Sequence, residues 1–143
     1  TAILHIPYQV SVMSLFEQYA MAIPLLVPTP EFLWTLHNEY NIMKERTWQQ
    51  QNTGKRERKS LLPPFLKDST VPDPNDDLTR EAFLFWVKKG DFWTFEHILT
   101  FDSWGALQTI LDETDFQEVS RNMRLAHRVY LDETRSTWED LLK

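Results

Sequence analysis

The chain of 143 residues contains no cysteine, only three glycines and four scattered histidines. Without cysteine it forms neither disulfides nor thiolate metal sites, and cysteine usage leaves the compartment open. Three widely separated glycines cannot supply a Walker loop, a Gly-x-Gly-x-x-Gly loop or a Gly-x-Ser-x-Gly nucleophile elbow. No two histidines stand three or four residues apart, so the spacing gives no support to a metal site.

The sequence also lacks a long apolar run and an excess of positive charge. The longest apolar run, Ala20–Val27, is interrupted by Pro24 and is far shorter than the ~20 residues that span a bilayer. Fifteen basic and 21 acidic residues give a net charge of −6, which does not favour a nucleic-acid-binding surface. No signal peptide is visible. Localisation stays open between the cytoplasm and, if the full-length protein carries an N-terminal anchor, the Golgi or ER lumen.

Residues 1–28 predict a strand, a helix and a second strand. Thr1–Ile6 is short and apolar, and a proline then ends the strand because it has no N–H to donate. Ser11 is a suitable N-cap for a helix over Val12–Met21, whose apolar positions indicate burial on most sides. Ile23–Val27 predicts the second strand. This order predicts a βαβ unit with two parallel strands.

The segment Pro7–Ser14 is the predicted binding position of this unit. Ligands of open α/β sheets bind beyond the carboxyl ends of the strands, where free N–H groups and the helix dipole suit a phosphate. Ser11 and Ser14 add hydroxyl groups. His5 ends the first strand nearby, and a ligand-contacting and a structural role are equally open for it. Glu17 is a carboxylate on an otherwise apolar helix, which indicates a specific role.

With these residues the sequence resembles the C-terminal, donor-binding domain of glycosyltransferases of the two-Rossmann-domain (GT-B) type. In that family a Glu-x7-Glu element leads through a helix into Gly-hydrophobic-Pro. The second Glu stands seven residues before the Pro, as Glu17 stands before Pro24. Here Gln9 occupies the first Glu position and Ala22 the Gly position. The segment from Gly90 to Trp104 resembles the late part of such domains in some poorly characterised members.

The resemblance implies an α/β fold, namely part of a Rossmann-like GT-B donor domain with short parallel strands and mostly helical residues. It implies transfer of a sugar from a nucleotide-sugar donor, without a cofactor or an essential metal. Loop amides with Ser11 and Ser14 would contact the diphosphate, Glu17 the ribose, and Tyr8 and Gln9 the sugar. The catalytic residues are unknown, because any catalytic base would lie in the missing N-terminal domain. The acceptor is equally unknown: a glycan, a protein or a lipid.

The whole chain is expected to form one partial domain of that larger enzyme. Its predicted parts are the βαβ unit at 1–28, a helix at 29–44, a Pro-rich and basic loop or insertion at 45–77, and the C-terminal helices at 78–143. Thr29 is the predicted cap of the second helix, with Pro30 at its first position.

Four pieces are predicted after the loop, the helices from capping residues and apolar spacing and the extended piece from its apolar residues. They are a helix over Leu78–Lys89 capped by Asp76 or Asp77 and ended by Gly90, an extended piece over Asp91–Thr100, a short helix capped by Asp102 or Ser103, and a long helix starting at Asp115. Whether the long helix continues or breaks near Asp132 is left open by the sequence.

Two other function classes compete with the transferase. Gln9 and Ala22 in place of the expected residues are compatible with a non-catalytic protein-interaction module derived from such a domain. A different nucleotide-binding α/β enzyme is the third hypothesis, and the lack of a glycine-rich phosphate loop argues against it.

Overall fold

The computed structural model describes residues 1–43, 71–76 and 78–143. Three strands and six helices lie in these described ranges, and the helices contain most of the described residues. The elements are β1 (Ile3–Leu4), α1 (Met13–Ala20), β2 (Leu25–Pro28), α2 (Pro30–Tyr40), α3 (Arg80–Val87), α4 (Asp91–Thr94), β3 (Leu99–Phe101), α5 (Trp104–Glu113) and α6 (Phe116–Leu141).

The described strands form a three-stranded parallel sheet in the order β1-β2-β3. Ile3 is opposite Leu25 in the register of the first pair, and Leu26 is opposite Leu99 in that of the second. The parallel β1-α1-β2 unit confirms the βαβ prediction, although the strands are shorter than predicted. The fold is therefore α/β with a small parallel sheet and predominantly helical content.

The central strand β2 is buried along its whole length because helices cover both faces of the sheet. Leu25 and Val27 contribute to a cluster with α1 and α6. Leu26, which points to the opposite face, packs with Phe101 and Leu107. A third cluster joins α2 to α3 and contains Leu33, Met43, Phe83 and Val87.

Helix α2 begins as predicted, with Pro30 in its first turn and the Thr29 hydroxyl accepting a hydrogen bond from the Phe32 N–H at 3.2 Å. It ends at Tyr40, earlier than predicted, because Asn41 adopts a left-handed conformation with φ of 53°. Lys44 and most of the predicted loop 45–77 lie outside the described residues.

Helix α3 is shorter at both ends than the predicted Leu78–Lys89. The N-cap position is Thr79 and no side chain caps the helix, so the predicted capping role of Asp76 is wrong. Asp76 instead accepts hydrogen bonds from the N–H groups of Leu78 and Thr79 in the turn before α3, and the other candidate, Asp77, lies outside the described residues. Gly90 does not end α3 in the left-handed conformation typical of such glycines; its φ is −74° and it precedes α4.

The predicted extended piece Asp91–Thr100 is wrong in its first half. Asp91–Thr94 form the single helical turn α4, and only Leu99 onward is a strand. The turn buries Phe92 in the core and directs the Trp93 indole N–H to the Pro28 carbonyl at 3.0 Å. These contacts with β2 and its surroundings, rather than local preference, favour the helical turn. His97, at φ of 64°, then lies on the path into β3.

The last two helices begin where capping chemistry places them. Ser103 Oγ accepts from the Ala106 N–H, and Asp115 Oδ1 accepts from the N–H groups of Gln117 and Glu118. Helix α6 continues unbroken to Leu141, and Met123 is its one fully buried residue. No helix of the described ranges combines the length and the apolar character needed to cross a membrane.

Candidate functional site

The carboxyl edge of the sheet is formed by three neighbouring segments: the loop after β1, the start of α1, and the turn that leads into α4. The loop approaches α4 closely because Gly90 has no side chain there. A Cβ atom on Gly90 would lie 2.4 Å from the Val10 carbonyl oxygen and 3.1 Å from that of Val87. Glycine is therefore required for the contact between loop and turn.

Ser11 links the loop to α4 rather than capping α1. Its hydroxyl donates a short hydrogen bond to the Asp91 carboxylate, and α1 begins at Met13, with Val12 at the N-cap position. The predicted N-cap role of Ser11 is therefore wrong. Its hydroxyl is hydrogen-bonded to the Asp91 carboxylate, which is distant in sequence but close in space. Valine has no side-chain acceptor, so the first N–H groups of α1 have no side-chain cap.

An open depression of about 450 Å³ lies in front of this uncapped helix end. Its lining residues are Tyr8, Gln9, Ser11, Val12, Met13 and Ser14. The first turn of α1 contains no acidic residue. The positive end of the helix dipole therefore faces the depression without a neutralising carboxylate in that turn, which favours an anionic group there.

The structure brings four of the six predicted site residues together at this depression: Tyr8, Gln9, Ser11 and Ser14. Glu17 is exposed on α1, one turn further along the helix, and does not line the depression.

His5 also lies outside the lining. Its backbone N–H donates to the Leu26 carbonyl at 2.8 Å, and its ring packs edge-on against Phe92 with 4.9 Å between ring centroids. Burial lowers the pKa of His5 below its ordinary value of 6.5. The half-buried imidazole thus serves packing between the loop and α4.

The lowered pKa of His5 predicts a pH dependence of stability. Just below pH 6.5 the unfolded chain binds a proton at this residue more readily than the folded chain does, so the free energy of unfolding falls as the pH decreases through that value. We expect His5→Gln to lose this slope between about pH 5 and pH 7. Urea unfolding of both proteins across that range measures it, and parallel stability curves would contradict the expectation.

Two residues that shape this edge, Gly90 and Asp91, are not among the predicted site residues. Gly90 was predicted only as a helix stop and Asp91 only as the start of an extended piece. The sequence feature that could have indicated them is a glycine followed by a carboxylate, directly before the aromatic pair Phe92 and Trp93. Their partners, Val10 and Ser11, stand 80 residues earlier in the chain, and only the fold reveals them.

Among the described residues, no group of three or more histidine, aspartate and glutamate side chains is placed to hold a metal ion. Comparison with known proteins adds no family: the chain matches no protein-family model, no curated protein and no solved structure.

Proposed function

We propose that this chain is the donor-binding portion of a GT-B-type glycosyltransferase, which transfers a sugar from a nucleotide-sugar donor to an acceptor. One observation carries the proposal. The uncapped N-terminus of α1 opens onto a depression at the carboxyl edge of a parallel sheet, and Tyr8, Gln9 and Ser14 line it.

The chemistry of that depression suits the diphosphate of such a donor. Backbone N–H groups at the start of α1 donate to phosphate oxygens, and the Ser14 hydroxyl adds a donor beside them. As the bond to the sugar breaks, negative charge accumulates on the departing nucleoside diphosphate. The fixed dipole of α1 stabilises that charge without a metal ion. Tyr8 and Gln9 offer a hydroxyl and an amide to the sugar.

The turn after α1 gives independent support to the resemblance. Ala22 occupies the position where the family carries glycine, and its φ is 54°. This left-handed conformation is the one that glycine adopts at least cost, which explains why a family with the same turn would use glycine there. Ala22 is buried, and its carbonyl accepts a hydrogen bond from the Ser120 hydroxyl at 2.7 Å, so the turn is held by α6.

Glu17→Ala tests the part of the proposal that comes from the Glu-x7-Glu element. We expect it to weaken donor binding with little change in the melting temperature of the free protein, because the side chain is exposed. The measurement is a thermal-shift screen of the longest natural form of the chain against a panel of nucleoside diphosphate sugars. A donor that binds the folded state raises the melting temperature by mass action.

Glu139→Ala, at an exposed position of α6, is the matched control and should keep the full shift. An equal shift in wild type and Glu17→Ala would remove Glu17 from the donor site. No shift with any donor, from a protein that melts cooperatively, would contradict the transferase itself.

A protein-interaction module is the second candidate function, and the exposed end of α6 favours it. Tyr130, Thr134, Trp138 and Leu141 follow one another on the side of the helix that buries Met123 nearer the sheet. Tyr130, Trp138 and Leu141 are largely solvent-exposed. The ring of Tyr130 packs edge-on against Phe95, and beyond it the core-facing side of α6 continues as a stripe in which Trp138 and Leu141 are exposed.

The charges beside this stripe favour a second copy of the chain as its partner. Arg128 and Arg135 lie on one flank, and Glu133 and Asp140 lie on the other, each pair seven residues apart. Two copies of α6 in parallel would place the basic flank of each against the acidic flank of the other. Sedimentation equilibrium tests this: Trp138→Lys should convert a dimer to a monomer, and a wild-type monomer at all concentrations would exclude this module.

A further inference from the structure

A second cavity, of about 260 Å³, lies between the loop after β1 and the ends of α3 and α4. It adjoins the depression at the start of α1, which is called the donor depression below after its proposed ligand. The second cavity is lined by Val10, Ser11, Pro74, Trp86, Lys89, Gly90 and Asp91. Ser11 lines both spaces, with Val10 belonging to this cavity and Val12 to the donor depression. The two spaces are therefore neighbours separated by a single residue of the loop.

The lining combines an aromatic ring with polar groups of opposite charge. Trp86 and Pro74 supply apolar surface, and Ser11 and Asp91 supply a hydroxyl and a carboxylate. Lys89 also lines the cavity, and its ammonium group lies over the Phe85 ring, 4.9 Å from the ring centroid. Together these groups both donate and accept hydrogen bonds. One positive and one negative side chain give no net preference for an anion, so the lining suits a neutral ligand rich in hydroxyl groups.

Trp86 is held in place before any ligand binds. Its indole N–H donates to the Pro72 carbonyl at 3.0 Å, and its ring packs edge-on against Phe85. Because the only polar atom of the side chain is occupied, Trp86 offers the cavity apolar ring surface. Asp91 is likewise fixed by its hydrogen bond from Ser11. Groups fixed in this way lose little conformational freedom on binding.

The size of the cavity limits what it can hold. Sites for drug-sized ligands occupy about 300–1,000 Å³, so a cavity at or below the lower limit fits a monosaccharide and not a whole nucleotide sugar. A pyranose ring presents C–H groups on its faces and hydroxyl groups around its edge. An aromatic wall beside a carboxylate and an ammonium group matches that distribution.

We propose that this cavity is a binding site for the pyranose ring of a neutral sugar. Trp86 contacts the C–H face of the ring, and Asp91 and Lys89 bind its hydroxyl groups. The assignment of this sugar as the acceptor rests on the proposed transferase function, because the cavity adjoins the donor depression. The binding of a neutral sugar does not depend on that function.

Saturation-transfer difference NMR with methyl glycosides of the common hexopyranoses tests the site on the longest natural form of the chain. We expect transfer concentrated on the ring C–H protons of one face of a bound glycoside. Lys89→Met should weaken that glycoside about tenfold, the effect of losing a charged hydrogen-bond donor. Lys88→Met is the matched control, because Lys88 lies outside the lining and pairs with Glu31 at 2.7 Å.

Three results would overturn the site: no transfer to any glycoside, equal affinity in Lys89→Met and wild type, or equal loss in the two lysine variants. Asp91→Asn provides a second variant that retains the shape of the side chain, and it should also weaken the glycoside. Glycoside binding without any response to nucleotide sugars would support this site and contradict the donor site. A response to nucleotide sugars alone would do the opposite.

Discussion

Phe92→Ala should lower the free energy of unfolding by about 3–5 kcal/mol, the range for removing a large aromatic side chain from a core. Phe92 is 0% exposed and belongs to the cluster that α1, β2 and α6 share. It also supports the ring of His5 at the carboxyl edge of the sheet. Because small domains have a total stability of ~5–15 kcal/mol, this single change would remove a large part of it.

Urea unfolding followed by circular dichroism measures the loss. Phe92→Leu, which keeps most of the apolar volume, should be affected less and remain measurable if the alanine variant does not fold. Tyr40→Ala, at a side chain that is 62% exposed, is the surface control and should change stability little. Equal stabilities of Phe92→Ala and Tyr40→Ala would show that α4 does not pack into the core as described.

Gly90→Ala should destabilise the protein by roughly 2–3 kcal/mol or more, because its methyl group would overlap a backbone oxygen. The clash is with the Val10 carbonyl at 2.4 Å, and neither backbone segment can give way without moving the loop after β1. The substitution therefore changes the depression at the start of α1 as well as the stability. We expect a lower melting temperature together with a weaker response to any donor that the wild-type protein binds.

Gly105→Ala is the matched control, since nothing lies within 4 Å of the position of its Cβ atom. Gly105 is in α5, where alanine is preferred over glycine. The free energy of unfolding of this variant should therefore rise by up to about 1 kcal/mol. We expect the free energy of unfolding to fall in Gly90→Ala and to rise in Gly105→Ala. A neutral effect of Gly90→Ala would mean that the loop and α4 do not approach each other as closely as the structure shows.

The parts of the fold that could be predicted are those encoded by neighbouring residues. Thr29, Ser103 and Asp115 begin their helices because each supplies an oxygen to an N–H group two or three residues later. Two short apolar segments flanking one helix were enough to indicate parallel strands in the β1-α1-β2 unit. These signals act over a few residues and need no knowledge of the rest of the chain.

The parts that could not be predicted depend on distant partners. Ser11 has the chemistry of an N-cap, but its hydroxyl donates a hydrogen bond to Asp91, which stands 80 residues later in the chain. The turn α4 forms where the apolar residues of Asp91–Thr100 predicted an extended piece, because burial of Phe92 and the hydrogen bond from Trp93 to Pro28 require a tighter path. Local preference is weaker than such tertiary contacts in a one-turn segment.

The candidate site could likewise be predicted in its position but not in the direction of its side chains. The position beyond β1 followed from the topology of parallel sheets, and four predicted residues line one depression there. The direction of individual side chains was not encoded in their spacing. Glu17 is exposed one turn away from the depression, and His5 packs against Phe92.

Ser14→Glu tests whether the start of α1 is an anion site. A carboxylate in the first turn should raise the free energy of unfolding by about 0.3–1 kcal/mol through the helix dipole, while its charge repels a diphosphate from the depression. Thr109→Glu adds the same charge on α5 and is the control. In isothermal titration with the donor that the thermal-shift screen selects, we expect binding by wild type and Thr109→Glu and none by the folded, slightly stabilised Ser14→Glu. Unchanged donor affinity in Ser14→Glu would contradict an anion site at the start of α1.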